Sequence, residues 1–266
     1  MRTVTSKDGT PIAFDRVGDG PAVILVSGAT ADRKMHTDLA QALAGDFTVL
    51  NHDRRGRGDS GDTLPFALER EFEDIDALIA EAGGSAHLYG ISSGGALALE
   101  AAAAGLAIDR LAVYEVPYNL AEEQPRLQEE YVTTLNALLA QDRRSDMVAL
   151  FMRTVAEADD HAISAMRQEP WWAGIEAVAH TLAYDAAALG TGRPPAERLG
   201  RIKAPTCVIT GLPEGEQEVG GVEFFEATAR AIVAAIPSAE HRRLPGQTHM
   251  VSADALAPVL TSFFKS

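Results

Sequence analysis

The sequence predicts an α/β fold, in which a mostly parallel central sheet is flanked by helices. Short β-branched runs alternate with longer Ala- and Leu-rich amphipathic stretches, as repeated strand-helix-strand units require. This strand signal stops between residues 119 and 190, where the pattern is typical of helix throughout. We therefore predict a core formed by residues 1–118 and 191–266, and an inserted helical cap formed by residues 119–190.

The elements of the core follow from these two patterns. A hairpin turn at Asp8-Gly9-Thr10 joins the first two strands, because Asp-Gly tolerates the positive φ of such turns. The predicted strands are 3–6, 12–17, 22–26, 47–51, 86–89, 110–114, 206–210 and 241–244. The predicted helices of the core are 34–44, 64–81, 92–104, 222–235 and 254–264.

Composition limits the classes of function. The chain has 266 residues, 46% of them hydrophobic and 23% charged, which is enough for a core without metals or disulfides. A formal net charge of -15 disfavours binding to nucleic acid or to an anionic membrane surface. The first residues lack the apolar core of a signal peptide, and no apolar run of about 18 residues follows. We expect a cytoplasmic monomer or homodimer whose partner is a small molecule.

The strongest chemical motif surrounds Ser92, which lies between a buried strand and an Ala-rich helix. Gly90 precedes it by two residues and Gly94 follows it by two, so neighbouring chain can pass close to a sharp strand-to-helix turn. Such a turn exposes the hydroxyl and directs the first amides of the helix at the reaction centre. We predict that Ser92 is a nucleophile rather than a structural turn serine. Ser93 is the weaker candidate, because the glycines are symmetric about Ser92.

Three further motifs resemble those of the α/β-hydrolase family, and the likeness extends over nearly the whole chain. Residues 23–29 (VILVSGA) resemble its third strand and oxyanion loop, although Ser27 stands where the family often has histidine. Residues 53–60 (DRRGRGDS) resemble its Asp-x-Arg-Gly-x-Gly-x-Ser turn, and residues 246–249 (GQTH) its histidine loop. The resemblance implies an α/β-hydrolase fold with an inserted helical cap. Acyl transfer in that fold needs two oxyanion donors, which we assign to the backbone amides of Ala29 and Ser93.

His249 is the candidate general base. It follows Gly246 on a loop between the last strand and the last helix, as the chain order of nucleophile, acid and histidine requires in this fold. The alternative is a solvated loop histidine. The six other histidines lack metal-ligand spacing, so we expect no metal site.

Two glutamates compete for the role of the acid that orients His249. Glu115 directly follows a strand and Pro117 ends that segment, whereas Glu214 lies three residues after Gly211 in a loop with two more acids. We favour Glu115, because a run of acids is more often a solvated loop. An acid after the strand that follows the nucleophile helix resembles the arrangement in haloalkane dehalogenases and in zearalenone-type lactone hydrolases.

Trp171 and Trp172 are candidates for the wall of an apolar substrate pocket, with Tyr184 further along the predicted cap. Packing of the cap on itself is an equally good explanation.

These residues together predict a cofactor-independent serine hydrolase that cleaves an ester or lactone of a small, moderately apolar molecule through an acyl-enzyme. Hydrolysis of carbon-carbon, amide or thioester bonds and perhydrolase activity need the same parts and stay open. A ligand-binding protein with slow turnover is the alternative from another class.

Overall fold

The computed structural model describes residues 1–213 and 221–266, and its centre is an eight-stranded sheet in the order β1-β2-β4-β3-β5-β6-β7-β8. The strands are β1 (Arg2–Thr5), β2 (Pro11–Val17), β3 (Ala22–Val26), β4 (Thr48–His52), β5 (Ala86–Ile91), β6 (Ile108–Tyr114), β7 (Thr206–Leu212) and β8 (Ala239–Pro245). The α-helices are α1 (Thr37–Leu43), α2 (Leu68–Ala82), α3 (Ser93–Ala103), α4 (Gln124–Leu139), α5 (Arg144–Val155), α6 (Asp160–Met166), α7 (Trp172–Ala177), α8 (Leu182–Leu189), α9 (Ala196–Leu199), α10 (Val222–Ala235) and α11 (Ala253–Phe264). Strand β2 is antiparallel to both of its neighbours, and the other pairs are parallel. The predicted fold class is therefore confirmed.

The central strands are apolar on both faces, because helices cover both sides of the sheet. In β3, Ile24 and Val26 pack into one cluster with residues of α2, α3 and α10, whereas Val23 and Leu25 pack into another with residues of α1 and α11. Successive side chains of a strand point to opposite faces, so an unbroken apolar run supplies both clusters.

Two helix starts differ from the prediction by more than one residue. The helix expected from residue 64 begins at Leu68. Pro65 disfavours helical backbone at residue 64, and Ala67 directly before the helix is extended. The helix expected at 34–44 is divided into a 3-10 turn, Arg33–His36, and α1.

Residues 124–189 form α4 to α8 and have an apolar cluster of their own, which includes Leu135, Met147, Val148, Ile163 and Leu182. Half-buried Ala29, which follows β3, packs against this cluster. These helices therefore lie beside the loop that leaves β3, and the division of the chain into core and cap stays a prediction. Among the helices of residues 1–213 and 221–266, none combines the length and apolar character that a membrane span needs.

Candidate active site

The candidate residues follow three strands whose carboxyl ends lie on the same edge of the sheet. Ser92 follows β5, Glu115 follows β6, and His249 lies on the loop after β8. In parallel sheets the connections at this edge form the binding crevice. The topology thus brings together residues that are far apart in sequence.

Ser92 occupies a strained turn between β5 and α3. Its φ of 55° and ψ of -128° lie in a region that residues with a side chain rarely adopt. Its backbone N–H is held by the Tyr114 carbonyl at 2.9 Å. A Cβ on Gly90 would collide with the Gly94 carbonyl, and one on Gly94 with the Ser27 carbonyl, so both glycines are required by close backbone approach.

The loop after β3 lies against this turn. A Cβ on Gly28 would stand 3.2 Å from the Ser92 Cβ and 3.8 Å from its Oγ, so the Gly28 backbone faces the hydroxyl. Ala29 follows in this loop, and Ser93 is the first residue of α3. The two amides assigned as oxyanion donors therefore belong to segments on either side of Ser92, and their role stays a prediction.

Glu115 and His249 form a direct pair. The Glu115 Oε2 atom lies 2.8 Å from His249 Nδ1, and its Oε1 accepts a hydrogen bond from the Gly211 amide at 2.9 Å. The carboxylate is buried, and the backbone of Glu115 has a positive φ of 44°. With both oxygens engaged, the carboxylate can hold the imidazole with its proton on Nδ1 and leave Nε2 free to accept a proton. Glu214 lies outside the described residues.

The histidine loop is fixed by further contacts. Tyr114 donates a hydrogen bond from its hydroxyl to the Thr248 carbonyl at 2.7 Å. A Cβ on Gly211 would collide with the Gln247 carbonyl, so β7 approaches the loop at a position that only glycine permits. The loop is thus held from two neighbouring strands.

Phe225 on α10 stacks on the His249 ring, with centroids 5.3 Å apart and planes 10° from parallel. Sequence reasoning missed this contact, because a phenylalanine in an amphipathic helix is indistinguishable from a core residue. Within the described residues, Ser92 and His249 share no hydrogen bond. Such bonds in free enzymes are often long and tighten when substrate binds.

A buried ionic cluster lies next to the Ser92 turn. It consists of Arg54 and Arg57 from the turn after β4, Glu71 from α2 and Asp185 from α8, all of them buried. Arg54 binds both oxygens of Glu71 at 2.7 Å and Asp185 Oδ1 at 2.7 Å. Arg57 binds Asp185 Oδ1 and Oδ2 at 2.9 and 2.8 Å. Two positive and two negative groups therefore balance in a region shielded from water.

Asp185 also accepts a hydrogen bond from Ser93 Oγ at 2.8 Å, so the cluster reaches the nucleophile turn itself. Burial raises the pKa of the Asp185 carboxyl, but Arg57 and Arg54 outweigh this and hold the pKa below its ordinary value. Sequence analysis did not single out Asp185. The available signal was a lone charged residue in the otherwise uncharged helix LAYDAAAL.

The two tryptophans differ in environment. Trp172 is buried in the apolar cluster of α4 to α8, donates a hydrogen bond from Nε1 to Ser145 Oγ at 3.0 Å, and has Arg167 over its ring. Trp171 is 44% exposed. Tyr184 stacks on Phe66. These contacts favour packing among the helices for Trp172, and a pocket role for either tryptophan stays a prediction.

Comparison with known proteins finds similar sequences and structures over nearly the whole chain. The model of the Alpha/beta hydrolase family matches residues 23–260. The crystal structure of an alpha/beta hydrolase from Sphaerobacter thermophilus DSM 20745 is 48% identical, covers 99% of this chain and 100% of its own, and superposes with a TM-score of 0.88. A hydrolase from Pseudomonas aeruginosa PA01 is 24% identical with a TM-score of 0.74, and covers 100% of this chain and 98% of its own.

Among curated proteins, the uncharacterized hydrolase YraK of Bacillus subtilis (strain 168) is 30% identical over 96 residues. That match spans 35% of this chain and 35% of the relative. The family model and the Sphaerobacter structure each cover far more of the sequence. On this basis the chain belongs to the alpha/beta hydrolase family.

Proposed function

We propose that the protein is a serine hydrolase that cleaves a carboxylic ester or lactone of a small, moderately apolar molecule. The observation that carries the proposal is the Glu115–His249 pair, with 2.8 Å between Oε2 and Nδ1, at the same sheet edge as the strained Ser92 turn. A carboxylate, an imidazole and a serine at a strand-to-helix turn are the parts that nucleophilic acyl transfer requires.

In the first half-reaction, the Ser92 oxygen forms a bond to the carbonyl carbon and its proton moves to His249 Nε2. The carbonyl electron pair shifts to oxygen, where the amides of Ala29 and Ser93 stabilise the negative charge. Collapse of this intermediate breaks the bond between carbon and the leaving oxygen, which takes the proton from His249. A water molecule then attacks the acyl group by the same steps and releases the acid and Ser92.

The apolar surroundings of the turn support the substrate class. Ala29, in the loop after β3, packs against the apolar cluster of α4 to α8, so apolar groups lie beside the proposed oxyanion donor. An enol-lactonase from Burkholderia xenovorans LB400 shares the fold at 21% identity, and an esterase from Exiguobacterium antarcticum shares it at 18%. Both activities are compatible with the proposal, but at these identities the likeness extends only to the fold.

A panel of aryl esters and lactones of graded size, assayed with the wild-type protein and with Ser92→Ala, tests the proposal. We expect steady-state turnover of at least one ester or lactone and none with Ser92→Ala. A single stoichiometric burst would instead indicate a binding protein with slow turnover. Hydrolysis that persists in a folded Ser92→Ala protein would contradict the mechanism.

A further inference from the structure

We infer that Asp185 and Arg57 are positioning residues that orient the two oxyanion donors, and that α8 is coupled through them to catalysis. This inference rests on the proposed function, because it assigns the ionic cluster a part in the acyl-transfer step. Neither residue touches the reacting atoms in this scheme, and both act through backbone amides.

Arg57 fixes the peptide that carries one of the donors. Its Nη1 donates a hydrogen bond to the Gly28 carbonyl at 2.5 Å, and its Nε donates to Thr181 Oγ1 at 3.1 Å. The bond between Gly28 and Ala29 is trans, so the Gly28 carbonyl and the Ala29 N–H point in opposite directions. Holding the carbonyl toward the buried guanidinium therefore determines where the Ala29 N–H points. A cation on the carbonyl also polarises the peptide and makes its N–H a stronger donor.

Asp185 joins this peptide to the other donor. It binds Arg57 through both carboxylate oxygens and accepts a hydrogen bond from Ser93 Oγ at 2.8 Å. Ser93 supplies the second oxyanion amide in the proposed mechanism. The Asp185 carboxylate is thus linked to Ser93 by one hydrogen bond, and to the Gly28 carbonyl by two hydrogen bonds through Arg57.

The burial of these groups makes the arrangement rigid. Arg57 and Asp185 are both buried, and Arg54 adds a bond to Asp185 at 2.7 Å and one to the Ser27 carbonyl at 3.3 Å. Charge-assisted hydrogen bonds shielded from water are stronger and better directed than exposed ones. The alternative is that the cluster only holds α8 against the sheet.

The two explanations predict different kinetics. Oxyanion donors act on charge that develops in the transition state, so misdirecting them lowers kcat and leaves KM nearly unchanged. Loss of one donor costs about 10²- to 10³-fold in kcat, and we expect misorientation to cost about 10- to 100-fold. A purely structural role would lower Tm and leave the kcat of the folded protein unchanged.

Asp185→Asn and Asp74→Asn form a matched pair for the test. Asp74 is also buried and binds a buried arginine through both oxygens, Arg55 at 2.7 and 2.8 Å, but neither contacts the loop after β3. Both variants are assayed for Tm, for kcat and KM on an aryl ester that the wild type hydrolyses, and for inhibition by a trifluoromethyl ketone and the matching methyl ketone. The trifluoromethyl ketone adds to the serine and forms an oxyanion, whereas the methyl ketone mainly reports ground-state binding.

We expect Asp185→Asn to lower kcat and trifluoromethyl ketone affinity together by about 10- to 100-fold, with methyl ketone affinity retained. Asp74→Asn should have a lower Tm and an unchanged kcat. Wild-type kcat in folded Asp185→Asn, or equal losses of kcat in both variants, would overturn the inference.

If Asp185→Asn does not fold, Ser93→Ala gives a second test, because it removes one hydroxyl and keeps the backbone amide. We expect kcat to fall by about 3- to 10-fold with KM unchanged, and an unchanged kcat would overturn the coupling to Ser93. Wild-type turnover that depends on Ser92 establishes the proposed function separately. The inference can therefore fail in these variants while the proposed function stands.

Discussion

Replacing Glu115 with glutamine should lower kcat severely, and the structure gives the reason. Glutamine keeps the shape of the side chain but offers one oxygen acceptor and one NH₂ donor. The wild-type carboxylate accepts two hydrogen bonds, from the Gly211 amide at 2.9 Å and from His249 Nδ1 at 2.8 Å. An amide group can satisfy only one of these donors.

If the amide oxygen stays on the Gly211 N–H, the NH₂ faces Nδ1 and favours the His249 tautomer with its proton on Nε2, which cannot accept the proton of Ser92. If the amide turns round, the Gly211 N–H is left buried without an acceptor, at a cost of about 1–3 kcal/mol. At about 1.4 kcal/mol per factor of ten, this cost alone reduces the active tautomer by about 5- to 150-fold. Loss of the carboxylate charge beside the imidazolium adds to it, so the total reaches up to about 10⁴-fold.

The assay is kcat on an aryl ester for Glu115→Gln beside Glu100→Gln, with the fold checked by thermal unfolding. Glu100 is a similarly buried glutamate of α3 that pairs with Arg198 of α9 and not with His249, so its variant should lose stability and keep kcat. Glu214→Gln should stay within about tenfold of the wild type. An inactive Glu214→Gln with a nearly normal Glu115→Gln would show that Glu214, after the next strand, is the orienting acid.

Three further predictions concern the surroundings of the site. Phe225→Ala should lower kcat by about 2- to 12-fold and Phe225→Leu by less, because stacking on the His249 ring contributes about 0.5–1.5 kcal/mol. Steady-state kinetics measure this, and an unchanged kcat in Phe225→Ala would show that the ring is dispensable. Trp172→Ala should lower the free energy of unfolding by about 3–5 kcal/mol in urea titrations, whereas Trp171→Ala should lower it little because Trp171 is exposed. A KM that rises only in Trp171→Ala would indicate that Trp171 forms a wall of the pocket. Burial lowers the pKa of His36 to about 4, although a hydrogen bond to the backbone of Val26 acts in the opposite direction. The neutral buried histidine therefore contributes its full stability above the unfolded pKa of about 6.5. As the pH falls from there toward 4, the free energy of unfolding should decrease by about 3 kcal/mol. The pH dependence of unfolding should therefore be shallower in His36→Leu, and an unchanged slope would argue against a neutral buried histidine.

The sheet and the principal candidates for the site were predictable because their signals are local. A short apolar, β-branched run such as 22–26, bounded by turns on both sides, favours a buried strand over a helix. Ser92 and Glu115 each directly follow such a run, so their position at one sheet edge followed from the parallel topology. Pairing of Glu115 with His249 could be anticipated only as one of two alternatives.

The supporting contacts were not predictable, because they join residues that no local pattern connects. Asp185 binds Arg54 across 131 positions of sequence, and its partner could have been any arginine of the 53–60 motif. For Trp172 a pocket role and packing within the cap were equally good predictions, because an aromatic residue in a predicted cap has the same signal whether it faces ligand or neighbouring helices. In each case the missing information is which face of a helix turns toward which element, and only the assembled fold supplies it.

Covalent labelling distinguishes a Ser92 nucleophile activated by His249 from an inert turn serine. Wild-type protein, Ser92→Ala and Ser93→Ala are each treated with a fluorophosphonate, and the adduct is located by mass spectrometry of the peptides. We predict one adduct on Ser92 in the wild-type and Ser93→Ala proteins, and none in Ser92→Ala, because only a serine paired with a base reacts at a useful rate. An adduct on another residue, or labelling of folded Ser92→Ala at the wild-type rate, would mean that Ser92 is not the nucleophile.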